Sequence, residues 1–263
     1  MEKTLNRLDL LKDKDSKHLV IYLMAGDPNL KTTENLIYSL AAQEVSAIEL
    51  GIPFSDPVAD GPTIQRAGER ALANNIHIKD VLGLVARVRV RVNTPIVFML
   101  YYNLIHSYGI KNFVNDCLKA GVDGVIVPDL PFDEEIEFYK YSKNKDFYVI
   151  CLISPTNTVI RMKKIVEKTQ GFVYYILLKG VTGAQKTLFS DFKFLSEIRK
   201  SSKLPVFAGF GISTPNQAAE VVKHADGVIV GSAYVELIEK YGKNTKKLLF
   251  KSEQFIKNIL KKV

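Results

Sequence analysis

Cysteine is scarce in this chain: Cys117 and Cys151 are the two that its 263 residues contain. They stand far apart and match no CxxC spacing, which excludes a disulfide scaffold and a cysteine-rich zinc module and fits a reducing compartment. Histidine is nearly as sparse. His18, His77, His106 and His224 form neither an HExxH pattern nor a close cluster, so the commonest metal-site spacings are missing and no metal is expected. No apolar run approaches the roughly 18 residues of a membrane span. The opening stretch, MEKTLNRLDLLKDKDSK, is studded with charge and does not read as a leader. The expectation is a soluble, cytoplasmic protein with no membrane association.

What is present is enough for a substantial core, with 47% hydrophobic and 24% charged residues. The net charge of +8 would suit a polyanion, but residues 239–263 alone hold eight lysines against two glutamates. Leu248, Phe255, Ile256, Ile259 and Val263 recur there at helical spacing, so the lysines read as the wet face of a docked terminal helix, and no nucleic-acid partner is expected.

Short apolar runs rich in β-branched and aromatic residues lie near 19–24, 47–51, 95–101, 123–128, 148–153, 172–178, 205–209 and 226–231. Their near-continuous apolarity suits parallel strands covered on both faces. Segments of helical periodicity separate them. The stretch Arg87 to Val92 alternates like an exposed strand, yet Val81, Leu84, Val85, Val88 and Val92 also share one helix face, and a crossover is needed before Pro95. Eight β-then-α units with no Pro/Gly/Ser-rich linker predict a single (β/α)8 barrel over residues 1–263, with an extra N-terminal helix and short helices in the βα loops. Asp123-Gly-Val-Ile-Val recurs as Asp226-Gly-Val-Ile-Val, a half-barrel echo that a doubly wound sheet would not require. A dinucleotide reading of Gly209-Phe-Gly-Ile-Ser-Thr fails at its third glycine, which is Thr214.

Barrel chemistry is built from the loops behind the strands. Gly209-Phe210-Gly211 and Gly231-Ser232 each open a predicted helix, where backbone N–H groups and the helix dipole favour a phosphate; the alternative is a pair of tight turns, with Thr214 capping a helix begun by Pro215. Glu49 ends the second strand and Asp60 lies in the loop behind it. A glutamate in an apolar mouth has its pKa pushed toward neutrality, as acid–base work requires, although a structural ion pair for Glu49 and a helix cap for Asp60 are open. Tyr174 on the sixth strand precedes Gly180-Val-Thr182-Gly183, long enough for a lid; barrel filling and an ordinary turn are the plainer readings. The residues alone reach a lyase, isomerase or aldolase acting on a phosphorylated metabolite.

Ala25-Gly-Asp-Pro28, the segment Glu49 to Gln65 (ELGIPFSDPVADGPTIQ), Tyr101-Tyr-Asn103, Pro128-Asp-Leu-Pro131, Gly180-Val-Thr-Gly183 and Gly209-Phe-Gly-Ile-Ser213 together resemble the tryptophan synthase α subunit family over essentially the whole chain. The resemblance implies cleavage of indole-3-glycerol phosphate to indole and glyceraldehyde 3-phosphate, with indole passed to a β subunit in an α2β2 complex. It implies no cofactor here, pyridoxal phosphate belonging to the β subunit. By the same resemblance Glu49 is the proton-transfer residue, Asp60 accepts the indole N–H, and Tyr174 stands near the reacting side chain. Thr182, Gly183, Gly211, Gly231 and Ser232 surround the phosphate and its lid, while Tyr22, Leu100, Val127, Ile153 and Phe210 line the indole pocket. Pro53, Asp56, Pro57 and Asn103 face the partner. Met24, Val127 and Leu177 depart from the residues usual at their positions, Met24 and Leu177 lacking a hydroxyl near the pocket. They motivate an alternative, a weakly active chain that serves chiefly to activate its β partner. Lys179 raises a Schiff-base aldolase, which strand parity opposes because Tyr174 pointing inward sends odd-numbered residues outward.

Overall fold

The computed structural model describes residues 6–131, 133, 136–143, 145–177 and 185–263. Nine parallel strands appear among them: β1 (His18–Met24), β2 (Ala47–Gly51), β3 (Ile96–Met99), β4 (Gly124–Ile126), β5 (Tyr148–Ile150), β6 (Leu152–Ile153), β7 (Val173–Ile176), β8 (Val206–Gly209) and β9 (Gly227–Val230). Their order is β5-β4-β3-β2-β1-β9-β8-β7-β6, so the two ends of the ladder are consecutive in the chain and the barrel closes through them. The run 148–153, expected as one strand, is divided at Cys151, whose N–H donates to Thr169 Oγ1 (2.9 Å) instead of to a neighbouring strand. Eight ring positions thus carry nine strands.

Period-two alternation sorts the side chains. Val20, Ala47, Val97, Ile126, Ile150, Phe172, Tyr174, Phe207 and Ile229 form one buried cluster, the barrel interior, together with Leu8 and Leu11. Those two leucines belong to the N-terminal element, a 3₁₀ helix (Arg7–Lys12) capped by Asn6, which plugs the ring near the strand starts. Val173, Tyr175 and Leu177 belong instead to the larger buried cluster between strands and helices, as the inward setting of Tyr174 requires.

The helices are α1 (Leu30–Ala42), α2 (Pro62–Leu72), α3 (Ile78–Val88), α4 (Tyr102–Tyr108), α5 (Ile110–Ala120), α6 (Ile136–Lys143), α7 (Val159–Lys168), α8 (Gln185–Ser201), α9 (Pro215–Val221), α10 (Ser232–Tyr241) and α11 (Thr245–Leu260). Of these, α2, α4 and α10 are extra, and each follows a strand end. The helical reading of Val81 to Val92 holds as far as Val88; Val92 is reached through a turn, its N–H donating to Val88 O (2.9 Å), while Val90 is exposed. In α11, capped by Asn244, Leu248, Ile256 and Ile259 are buried, and Phe255 and Val263 pack at the edge. Among the described residues no helix is long and apolar enough to cross a membrane.

The repeated Asp-Gly-Val-Ile-Val sits at the strand starts and has a structural use. Asp123 accepts the N–H of Ile96 (2.8 Å) and pairs with Arg89. Asp226 accepts the N–H of Val206 (2.9 Å) and pairs with Arg199 (2.6 Å). Each carboxylate therefore clamps the preceding strand to the end of that strand's neighbouring helix. Removing Asp226 strands the buried Val206 N–H, at about 1–3 kcal/mol, while the third-exposed Arg199 can turn to water. Asp226→Ala should lower stability by that order, read as a drop in the urea midpoint; an unchanged midpoint would show that the clamp contributes nothing.

Candidate active site

A cavity of ≈ 300 Å³ opens at the strand ends. Glu49 enters it from β2, on the same face as Ala47, with Tyr22 and Val97 beside it in register on β1 and β3. Its side chain is buried, and among the described residues neither carboxylate oxygen has a hydrogen-bond partner. Burial, with a smaller contribution from the Asp60 charge, pushes its pKa up to about 8. Asp60 faces the same cavity from the β2–α2 loop, so the two carboxylates converge. Burial pushes Asp60 up to about 6, opposed by a hydrogen bond from Tyr101. No ion pair holds either group among the described residues, and Asp60 is not a side-chain cap of α2, whose N-cap is Gly61.

Tyr22 and Tyr174 flank Glu49, and their rings need glycine opposite. A Cβ at Gly51 would collide with the Tyr22 hydroxyl, and one at Gly209 would come within 2.7 Å of the Tyr174 hydroxyl. Burial raises both phenols well above the ordinary tyrosine value, so each is a neutral hydroxyl at physiological pH. Ala59, Ile64, Met99 and Ile229 complete the apolar wall. Sequence reasoning missed these four, although parity could have found two: Met99 lies two residues beyond inward Val97, and Ile229 belongs to the interior cluster.

At the other side of the cavity lie Phe210, Gly211, Gly231 and Ser232. Phe210 (φ +82°) and Gly211 (φ +77°) are both left-handed, a conformation that costs a non-glycine residue about 1–2 kcal/mol. The two helix starts differ. In α9 the capping box of Thr214 and Gln217 is closed, and Gln217 Oε1 takes the N–H groups of Ser213 (2.8 Å) and Thr214 (3.0 Å). The N-cap of α10 is Gly231, with no side chain to offer its first-turn N–H groups. The turn reading thus describes α9, whereas the first turn of α10 has no side-chain cap.

Leu100, Val127 and Ile153 are buried but do not line this cavity; Val127 faces a neighbouring one beside Cys151 and Arg161. Met24 and Leu177 are likewise buried outside the lining, Met24 packing toward Gly68 of α2. Thr182, Gly183 and Lys179 lie outside the described residues. Of the expected partner-facing residues, Asp56 and Asn103 are exposed, Pro57 is half-buried and Pro53 is buried. Among the described residues no group of three or more His, Cys, Asp or Glu could hold a metal.

A salt-bridge network braces the site from behind. Arg70 of α2 forks onto buried Asp27 (2.8 Å twice), and Glu239 of α10 holds both Arg66 (2.9 Å) and Arg70 (3.0 Å). The helix that begins just after Asp60 is thereby fixed to the helix whose first turn faces the anion end. Asp27 lies in the Ala25-Gly-Asp-Pro28 motif, but its partner Arg70 carries no local signal.

The model of the family described as "Tryptophan synthase alpha chain" matches residues 8–263. A tryptophan synthase alpha chain from Caldanaerobacter subterraneus subsp. tengcongensis is 42% identical, covering 97% of each chain. Among solved structures, tryptophan synthase subunit alpha from Legionella pneumophila superposes with a TM-score of 0.89 at 38% identity, again over 97% of each chain. A chain of the tryptophan synthase a2b2 complex from Pyrococcus furiosus superposes at 0.86 and 36% identity, over 93% of this chain and 98% of that one. A match that runs from the barrel plug to the last helix leaves one conclusion: the chain belongs to the tryptophan synthase α chain family.

Proposed function

We propose that the chain cleaves indole-3-glycerol phosphate to indole and glyceraldehyde 3-phosphate. The observation that carries this reading is Glu49, a buried carboxyl with no partner, sharing a cavity with Asp60 and with the open end of α10. A structural carboxylate would be paired; one left unpaired in an apolar mouth holds its proton near neutrality and can give it up. Glu49 delivers that proton to ring carbon 3, which places positive charge on the ring nitrogen. Asp60, ionised, accepts the ring N–H and stabilises that charge. Glu49, now a carboxylate, takes the proton of the neighbouring side-chain hydroxyl as the aldehyde forms, the electrons of the breaking C–C bond return to the ring, and Glu49 is restored to its protonated state. Tyr174 offers a neutral hydroxyl beside the reacting side chain. The phosphate is held by the first-turn N–H groups of α10 at Gly231 and Ser232, with Gly211 opposite and Thr182 and Gly183 contributing from the lid.

The chain acts in the cytoplasm and needs no cofactor of its own. It pairs with a β subunit in an α2β2 assembly, as the Pyrococcus chain does. Asp56, Pro57 and Asn103 face that partner and Pro53 supports the loop, while pyridoxal phosphate belongs to the partner. The activator-only reading is not favoured, because Met24 and Leu177, which motivated it, lie outside the cavity lining. General acid–base catalysis is worth about 10²- to 10⁴-fold, so Glu49→Gln should cut indole release by at least that order, with and without β subunit, while the fold is retained. Turnover unaffected by this change would remove Glu49 from the chemistry.

The two carboxyl groups must be in opposite states, Asp60 ionised and Glu49 protonated. The profile of kcat/KM against pH should therefore be a bell that rises through about 6 and falls through about 8. A flat profile across that interval would contradict these states. At the anion end, inorganic phosphate should compete with substrate. Gly211→Val, at φ +77°, should raise KM by about tenfold, a loss of one charge-assisted hydrogen bond, with kcat less affected. An unchanged KM would exclude Gly211 from the phosphate grip.

A further inference from the structure

Tyr101 has no role in the scheme above, yet it contacts the β2–α2 loop at two points. It stands at the end of the third apolar run, is buried, and forms the N-cap of α4 with extended backbone (φ −76°, ψ 144°). Its ring stacks on Phe54, with centroids 5.2 Å apart and planes 30° apart. Its hydroxyl accepts the N–H of Ala59 (2.9 Å), the residue before Asp60, and stands beside the Asp60 carboxyl, whose pKa it lowers. One rigid side chain from a barrel strand end thus reaches the start of the loop through its ring and the end through its oxygen.

We propose that Tyr101 is a positioning residue for the cleavage: its hydroxyl holds the backbone at Ala59 and faces the Asp60 carboxyl, and its stack on Phe54 ties that carboxyl to the partner-facing part of the loop. The proposal rests on the role given to Asp60 above. Among the described residues the groups around Asp60 include no cation. Tyr22 faces it from β1 and Glu49 from β2, neither of them a cation. From α2, Gln65 donates to the Asp60 backbone carbonyl (2.9 Å) and not to the carboxylate. Among the described residues no lysine, arginine or histidine pairs with Asp60, and the nearest further charge beside Tyr101 is another acid, Asp129. A carboxylate that is partly buried and has no cation depends on whatever donor it is given, both for direction and for staying ionised.

Tyr101→Phe keeps the ring and removes the oxygen. The expected result is a fall in kcat of about 10- to 10²-fold at neutral pH, the scale of one hydrogen bond to a charged group, with KM less affected. The acid limb of kcat/KM should also move to higher pH, because Asp60 without its donor holds its proton more tightly, and part of the lost rate should return on the alkaline side. A merely structural tyrosine would lower stability and leave the limb in place. Phe54→Leu keeps the hydroxyl and removes the stack; it should shift the limb in the same direction by less, and it tests the proposal should Tyr101→Phe fail to fold. Asp60→Asn separates the two ideas. It should be inactive at every pH, and an active Asp60→Asn would sink the functional reading itself. An inactive Asp60→Asn beside a Tyr101→Phe of unchanged kcat and unshifted limb would overturn the role of Tyr101 alone.

Discussion

Glu49 projects inward because it shares parity with Ala47, and its neighbours across the sheet are Tyr22 and Val97, neither of which can neutralise it. Its carboxyl therefore stands in a mouth of low dielectric with both oxygens unbonded. Keeping it there has a thermodynamic cost with a definite sign. The folded chain retains the proton to about pH 8, whereas the unfolded chain releases it near the ordinary 4.5. Between those values the unfolded state binds fewer protons, so stability falls as pH rises across the window. The same arrangement that supplies an acid at neutral pH weakens the fold there. The offset lies at the opposite end of the barrel, where Leu8 and Leu11 fill the interior and Asp123 and Asp226 clamp strands to helices. A barrel can tolerate this because its two ends are separate: one is packed and clamped by ion pairs, and the other surrounds a cavity with an unpaired carboxyl.

The three supernumerary helices all serve the unsatisfied end. Without α2 there would be no fixed base for Asp60; without α4, no N-cap position for Tyr101; without α10, no second helix start facing the cavity. The Arg66, Arg70, Asp27 and Glu239 network converts α2 and α10 into one unit. Surface ion pairs are individually weak, but here the Asp27 carboxylate is buried and the Arg70 fork is bidentate, so the geometry, more than the net energy, is what the network supplies. The spacing between Asp60 and the start of α10 is thus braced by helix packing as well as by the loop.

Much of this was legible in the sequence because the governing rules are periodic. The barrel followed from apolar runs at regular intervals, the inward setting of Glu49 and Tyr174 from alternation, and the docked basic helix from the spacing of Leu248, Ile256 and Ile259. The break at Cys151 was not legible, since it depends on Thr169, from the far end of α7, taking the Cys151 N–H. Pocket lining was the weakest part. Leu100, Val127 and Ile153 were expected beside the ring, but the residues that line the cavity here include Met99, Ile64 and Ile229. Leu100, Val127 and Ile153 share the outward parity of the larger cluster while Met99 and Ile229 lie on the inward face, and a helix residue such as Ile64 reaches the cavity only through tertiary packing. Tyr101 was visible within a motif, but its function lies in two contacts made across the sheet.

The same contrast explains why two similar glycine-bearing turns differ in use. Both were readable as anion sites or as tight turns, and the sequence carried the distinction in the residues that follow. Thr214-Pro-Asn-Gln217 closes a capping box that consumes the donors at the start of α9. Gly231-Ser-Ala-Tyr234 offers no side-chain cap, so the N–H groups at the very start of α10 have no side-chain acceptor among the described residues. A helix start that satisfies itself cannot also grip a phosphate, and one that does not must find a partner in water or in ligand. On the proposed reading, Gly211 and strained Phe210 act beside α9 through backbone shape rather than through its dipole, and the tail of the substrate is read chiefly from α10, the helix that Glu239 fastens to α2 just behind Asp60.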